Sequence, residues 1–165
     1  MQYNIVRKVF FLATLMLSMA AVASAQYDGT CSNASVAGTW GYTETGTLYL
    51  PTGAIPYASV GSYTLDIAGS LSGARTASAG GNIITATVKG TATVNPDCTG
   101  TLTVGFYDKS GNLQNTAVKA VVYVDNAKQA LTIITTIFYP NGLSLTAVLT
   151  TDAKKVFSSS ILGWR

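Results

Sequence analysis

Apolar and polar side chains alternate along most of the chain beyond residue 35. In the segment TLTVGFYD, Leu102, Val104 and Phe106 recur at every second position, and threonines precede Leu102 and Val104. Successive side chains of a β-strand point to opposite faces, so this period of two indicates a strand with one buried face. Thr, Val, Ile and Tyr favour strands and recur throughout, whereas no segment has the pattern of a long helix. The alternation predicts an all-β protein.

Turn residues divide this region into segments of similar length. The clearest turns are NPDCTG at 95–100, GGN at 80–82 and PNG at 140–142. The predicted strands span residues 36–50, 57–69, 70–80, 83–94, 101–108, 116–125, 129–139 and 143–152. Eight strands with mostly short links predict a single antiparallel up-and-down β-barrel, because closure removes both open edges. A two-sheet β-sandwich is the alternative, and the polar third strand is expected to be an edge or a flexible stretch.

The first 25 residues have the organisation of a signal peptide. Arg7 and Lys8 form a basic start, an apolar run VFFLATLMLSMAAVA follows, and ASA at 23–25 supplies small residues for cleavage. Cleavage after Ala25 leaves residues 26–165 as one β-barrel domain, secreted or periplasmic. No second apolar segment of membrane-spanning length follows, so no membrane association is expected after cleavage. A retained N-terminal anchor is the alternative interpretation.

The charge balance argues against a nucleic-acid partner. Eight of the ten basic residues remain once Arg7 and Lys8 are removed, against seven acidic residues, for a net charge of +1. Basic residues do not cluster with interleaved aromatics, the pattern that binding to a phosphate backbone favours. We therefore expect neither nucleic acid nor an anionic membrane as a partner.

Two cysteines, Cys31 and Cys98, fall within the predicted domain. In an exported chain, an even pair predicts a disulfide. Closing a loop of this length would stabilise the fold by about 4 kcal/mol on the chain-entropy model. The alternative, a reactive thiol, requires a nearby base to form the thiolate, and the chain has no histidine.

The segment GTWGY, beginning at Gly38, resembles the first strand of barrels in the calycin superfamily. Lipocalins and avidins of that group pair an N-terminal Gly-x-Trp with a basic residue late in the chain. The resemblance implies that Trp40 packs at the closed end of a barrel, with Arg165 as the basic residue over it. Avidin-type biotin sites use several tryptophans from middle and late strands, whereas this chain has none between Trp40 and Trp164. The segment GTATVNPDCTGTLTV also resembles uncharacterised secreted bacterial proteins, which implies export but no activity.

Few residues could carry out catalysis. The chain has no histidine and a single glutamate, and its aspartates are scattered. No nucleophile elbow, phosphate loop or calcium loop is present, so we expect no catalytic residue, no metal and no cofactor.

One group of polar residues shares the predicted inner face of the strands. Trp40, Tyr42 and Glu44 lie on one face of the first strand, so an inward Trp40 brings the only glutamate inward. Arg75 shares a face with Leu71 and is the predicted partner of Glu44, because a buried carboxylate is costly unless paired. A β-bulge near Tyr42 or Gly46 would instead place Glu44 in solvent. The candidate ligand-binding residues are Trp40, Tyr42, Glu44, Tyr63 and Arg75.

Three functions are consistent with these patterns. The first is a secreted, non-catalytic barrel that binds one small apolar or aromatic ligand, with interior space beside small residues at Gly61, Ala86, Ala120 and Ala147. The second is a packed structural or cell-surface interaction protein. Apolar residues on both faces of strands six and seven would then form a homo-oligomer contact, as at Val121 with Val122 and Ile133 with Ile134. The third is a small barrel isomerase or cyclase that uses Glu44 and Arg75.

Overall fold

A computed structural model describes residues 30–156 of the chain. The predicted signal peptide at 1–25 and Arg165 lie outside the described residues. The described part contains a one-turn helix, α1, at Asn33–Val36. The eight strands are β1 Gly38–Leu50, β2 Gly53–Leu65, β3 Ser70–Ala79, β4 Asn82–Val94, β5 Thr99–Tyr107, β6 Leu113–Val124, β7 Gln129–Phe138 and β8 Ser144–Lys155.

The strands form a closed barrel in which each pairs antiparallel with the next, and β8 pairs with β1. The predicted up-and-down barrel is therefore confirmed, and the two-sheet sandwich is wrong. The expectation that the third strand is an edge is also wrong, because β3 pairs with both β2 and β4. Closure leaves none of these eight strands with an open edge, which suits a sequence with only 10% charged residues.

The period-two pattern determines which side chains fill the barrel. Burial alternates residue by residue along most of β8, with Leu145, Ala147 and Leu149 inward and their neighbours exposed. The same alternation along β5 buries Leu102 and Val104, as predicted. Most strands thus contribute one apolar face to a common interior and leave a Thr- and Ser-rich face outside, whereas β6 and β7 also carry apolar residues on their outer faces.

Strand β1 runs in unbroken register with β2, from Gly38 opposite Leu65 to Leu50 opposite Gly53. The alternative of a β-bulge near Tyr42 or Gly46 is therefore wrong, and Glu44 points inward. Gly46 does not mark a bulge but a position where a side chain would not fit. Its φ is +153°, and an added Cβ would lie 1.9 Å from the Val148 carbonyl oxygen. The absence of a side chain lets β8 approach β1 closely at this point.

The end of the barrel where β1 begins is covered by α1, and we call it the α1 end. Ser32 caps the helix by accepting a hydrogen bond from the Ser35 amide, and Val36 is buried. Cys31 and Cys98 form the predicted disulfide, which joins the segment before α1 to the β4–β5 turn. Within residues 30–156, no helix is long and apolar enough to cross a membrane.

Trp40 fills the interior at the α1 end and is fully buried. Its indole Nε1 donates a hydrogen bond of 2.9 Å to the Val36 carbonyl, and its ring lies 6.3 Å from the Tyr63 ring. The ammonium of Lys155 lies 5.7 Å from the Trp40 ring and donates to the Ser35 carbonyl. Lys155, at the end of β8, is therefore a basic residue packed over Trp40.

Candidate functional site: a charge cluster inside the barrel

Three ionisable side chains meet in the middle of the barrel, and we call Glu44, Arg75 and Lys119 the charge cluster. They come from β1, β3 and β6, which do not neighbour one another in the sheet. Each side chain lies on the inward-facing side of its strand. Glu44 shares that side of β1 with the buried Tyr42, and Lys119 shares that side of β6 with the buried residues two positions before and two positions after it. Strand alternation alone therefore brings charged groups from distant parts of the chain to one place.

The carboxylate of Glu44 is the centre of the cluster and is 1% exposed. Its Oε2 accepts a short hydrogen bond from the Lys119 ammonium and a second one, of 2.8 Å, from the Thr151 hydroxyl. Its Oε1 lies 3.9 Å from the Arg75 guanidinium. Glu44 thus has two cationic partners, with Lys119 in direct contact and Arg75 farther away.

Arg75 is held mainly by aromatic side chains. Its guanidinium carbon lies 3.4 Å from the centre of the Phe106 ring, and Nη1 donates to the Tyr57 hydroxyl at 2.7 Å. Stacking of a planar guanidinium on an aromatic face favours burial of this cation. The remaining Nε–H is buried without a hydrogen-bond partner.

The surroundings fix the charge state of the acidic groups. Burial alone would raise the pKa of Glu44, but the charge of Lys119, hydrogen bonds from Lys119 and Thr151, and the charge of Arg75 outweigh it and lower that pKa. Burial raises the pKa of Tyr42 and Tyr63 above the usual tyrosine range. At neutral pH the carboxylate is therefore ionised and both phenols are neutral.

This arrangement is poorly suited to proton transfer. A general base works best when its pKa lies near the operating pH, whereas the pKa of Glu44 is lowered and that of Tyr57 is raised. No group of three or more His, Cys, Asp or Glu side chains that could hold a metal ion occurs among residues 30–156. The lowered pKa of Glu44 keeps its carboxylate ionised at neutral pH, so the carboxylate can hold charge and orient hydrogen bonds.

A small cavity lies beside the cluster, with a volume of about 20 Å³. Its polar lining comes from Tyr42, Tyr63, Lys119, Thr132 and Thr151, and apolar residues complete it. A volume of roughly 10 to 15 Å³ on this measure accommodates one water molecule, and pockets for organic ligands measure roughly 300 to 1,000 Å³. This cavity therefore has room for a group of one or a few atoms.

All five candidate ligand-binding residues face the interior. Tyr42 and Tyr63 line the cavity, Glu44 and Arg75 belong to the charge cluster, and Trp40 packs at the α1 end. The predicted Glu44–Arg75 proximity is present, but the direct partner of Glu44 is Lys119, which sequence reasoning missed. The sequence carries no clear signal for it, because β6 has apolar residues on both faces and only the structure shows that Lys119 shares the buried face with Val121 and Tyr123.

Of the small residues predicted to leave interior space, Ala120 points outward and is exposed, whereas Ala147 is fully buried. Strand β6 carries apolar residues on both faces, so its sequence pattern does not reveal which face is inward. The structure places Val121 inside and Val122 outside, and on β7 it places Ile134 inside and Ile133 outside.

A scan against protein-family models finds no match for this chain, and a search of curated proteins finds none either. Among solved structures, the chain is similar to the one described as the crystal structure of Rv2717c from M. tuberculosis. The two share 11% sequence identity and a TM-score of 0.33, over 74% of this chain and 93% of the other. A likeness this distant assigns no function to the barrel or to its charge cluster.

The lowered pKa of Glu44 predicts a specific loss of stability in acid. The stabilisation from its ionised form is complete above the ordinary pKa of about 4.5 and is lost as pH falls through the lower pKa of the folded state. We expect urea unfolding between pH 7 and pH 3 to show a shallower fall in unfolding free energy for Glu44→Gln than for wild type. Thr151→Val removes a hydrogen bond that lowers the folded-state pKa of Glu44, so its acid-dependent loss of stability should be smaller than that of wild type and should end at a higher pH. Equal pH profiles for wild type and Glu44→Gln would contradict this prediction.

Proposed function

We propose that this protein is an exported, non-catalytic β-barrel that acts through its outer surface and associates with a second copy of itself. The observation that carries the proposal is the small size of the cavity beside the charge cluster, which measures about 20 Å³. A small apolar or aromatic ligand would need a far larger space. The second of the three functions considered, a packed interaction protein, therefore has the most support.

The surface proposed for this contact lies on β6 and β7. Val118, Ala120 and Val122 alternate outward along β6, and Leu131 and Ile133 do so on β7, and we call these five residues the outer strip. Val122 lies directly opposite Leu131, and Ala120 lies opposite Ile133, so the side chains form one continuous apolar area. The four large ones are each 42–51% exposed.

The outer strip also forms one side of a shallow groove of about 610 Å³, whose other side is lined by threonines of β4 and β5. Gly100 and Ala120, both small, lie within it and account for its concave shape. Contiguous apolar patches rimmed by polar residues mark interaction sites on soluble proteins. The groove and the outer strip beside it therefore provide a concave surface and an apolar surface for a packed contact.

A second copy of the chain is the partner that suits this surface best. The strip contains no charged residue, so two copies of it meet without like-charge repulsion. Threonines flank it on β5, at Thr101 and Thr103, and their hydroxyls can both donate and accept hydrogen bonds at an interface rim. In a two-fold dimer the same surface patch of each subunit forms the interface. An uncharged apolar strip can pack against a second copy of itself in this way.

The remaining features agree with an exported barrel of calycin type. The Cys31–Cys98 disulfide suits an oxidising compartment, either the periplasm or the outside of the cell. Lys155 packed over Trp40 reproduces the pairing of an early tryptophan with a late basic residue. The disulfide supports the predicted export, and Lys155 over Trp40 supports the proposed relation to calycins. Neither observation indicates an enzyme that uses Glu44 and Arg75.

The proposal predicts that Val122→Lys weakens self-association by at least about tenfold, because the lysine would place a charge in the centre of an apolar contact. Sedimentation equilibrium over a range of protein concentrations measures this. Val60→Lys is the matched control, since Val60 is an exposed valine on the outer face of β2. The proposal requires a wild-type dimer that Val60→Lys retains. A monomeric wild type, or equal dissociation constants for the two variants, would rule out the outer strip.

A further inference from the structure

The interior of the barrel carries one more positive than negative charge. Arg75 and Lys119 contribute two cations, whereas Glu44 is the one buried acidic side chain within residues 30–156. None of the described aspartates is buried. An uncompensated charge in a water-poor interior is costly, so a mobile negative charge would be bound favourably there.

Two hydroxyl groups without hydrogen-bond partners belong to residues that line the cavity beside the cluster. The hydroxyls of Tyr63 and Thr132 are buried with no hydrogen-bond partner, and both residues line the cavity together with Lys119. Tyr63 is 7% and Thr132 is 8% exposed, so bulk water does not satisfy them. Buried polar groups in folded proteins are nearly always paired, and two such groups at one cavity indicate a missing acceptor.

We propose that this cavity binds a small monovalent anion of the size of chloride, held by the Lys119 ammonium and the hydroxyls of Tyr63 and Thr132. The anion balances the excess positive charge and accepts hydrogen bonds from both unpartnered hydroxyls. A volume of about 20 Å³ admits a group of roughly the size of one water molecule. It excludes organic carboxylates and sulfate. Anion binding in this cavity does not require self-association through the outer strip.

Chloride titration of thermal stability tests the site. We expect the melting temperature of the wild type to rise along a saturating curve as chloride replaces gluconate at constant ionic strength. The rise should be about 5 °C at ten times the dissociation constant. Gluconate is too large for the cavity, so the exchange separates specific binding from screening of surface charges.

Thr132→Val tests whether the chloride response arises at this cavity. The change keeps the side-chain shape and removes one unpartnered hydroxyl, so the variant should fold and lose at least about two-thirds of the chloride response. Tyr63→Phe provides a second variant with the same expectation. Thr146→Val, which changes an exposed threonine on β8, is the matched control and should respond as the wild type does.

Bromide soaked into crystals gives a direct second measurement, because its anomalous scattering locates it. The proposal predicts a bromide peak within hydrogen-bond distance of Lys119 Nζ and Thr132 Oγ1. It is overturned if the wild type shows no halide-specific stabilisation, or if Thr132→Val and Tyr63→Phe retain the full response. Ordered water alone in the cavity of bromide-soaked crystals would also overturn it.

Discussion

Replacing Glu44 by Gln should lower the free energy of unfolding by about 3 to 5 kcal/mol, the cost typical of removing one partner of a buried ion pair. The substitution leaves Lys119 and Arg75 buried without a counter-ion. A domain of this kind has a total stability of roughly 5 to 15 kcal/mol, so the loss would be a large fraction of it. Urea unfolding at neutral pH measures the change.

A double-mutant cycle separates the ion pair from general damage to the core. Lys119→Met should also destabilise strongly, because it removes the direct partner of the Glu44 carboxylate. The Glu44→Gln, Lys119→Met double variant should lose less than the sum of the two single losses, since it leaves neither partner unpaired. Asp152→Asn, a change at an exposed carboxylate on β8, is the control and should alter stability by about 0.5 kcal/mol or less. Additive single losses, or a Glu44→Gln variant as stable as wild type, would contradict a tightly coupled pair.

Removing the disulfide should cost about 4 kcal/mol, the second large effect expected. Cys31 and Cys98 lie 67 positions apart, so the bond restricts a long loop of the unfolded chain that includes β1 to β4. In the folded state, the bond also holds the segment before α1 against the β4–β5 turn, where the Cys31 amide donates to the Pro96 carbonyl. The paired substitution Cys31→Ala, Cys98→Ala should therefore unfold at a markedly lower urea concentration.

A reducing agent provides the control for this prediction. It should lower the unfolding midpoint of the wild type towards that of the Cys31→Ala, Cys98→Ala variant, and it should leave the variant unchanged. A wild type with the same midpoint in oxidising and reducing conditions would show that the disulfide adds no stability. It would also weaken the case for an oxidising compartment as the site of folding.

Much of the fold could be predicted from the sequence because period-two alternation is a local signal. Each strand reveals its inner face through its own residues, and eight strands with short links leave closure as the simplest way to remove open edges. The inward direction of Glu44 followed from its phase with Trp40 by the same reasoning. Where apolar residues occupy both faces, as at Val121 and Val122, the local signal fails, and Ala120 was accordingly placed on the wrong face.

Partners across the barrel could not be predicted, because they depend on strand order and on the stagger between strands. Glu44 on β1 contacts Lys119 on β6, 75 positions away, and no local pattern relates the two. A lysine in a strand is expected to face solvent, so the sequence alone does not indicate that Lys119 shares the buried face of β6 with Val121. Similarly, Lys155 lies over Trp40 because β8 brings that lysine back to the start of β1.

Native mass spectrometry of the protein, purified gently from its own host, tests both the proposed self-association and the absence of a bound organic ligand. We expect a discrete dimer that carries no organic molecule, because the cavity beside the charge cluster is too small for one and the contact surface lies on the outer strip. A monomeric mass would contradict the proposed self-association. An additional organic mass of a few hundred daltons, lost on denaturation, would contradict the packed interior and indicate a ligand carrier instead.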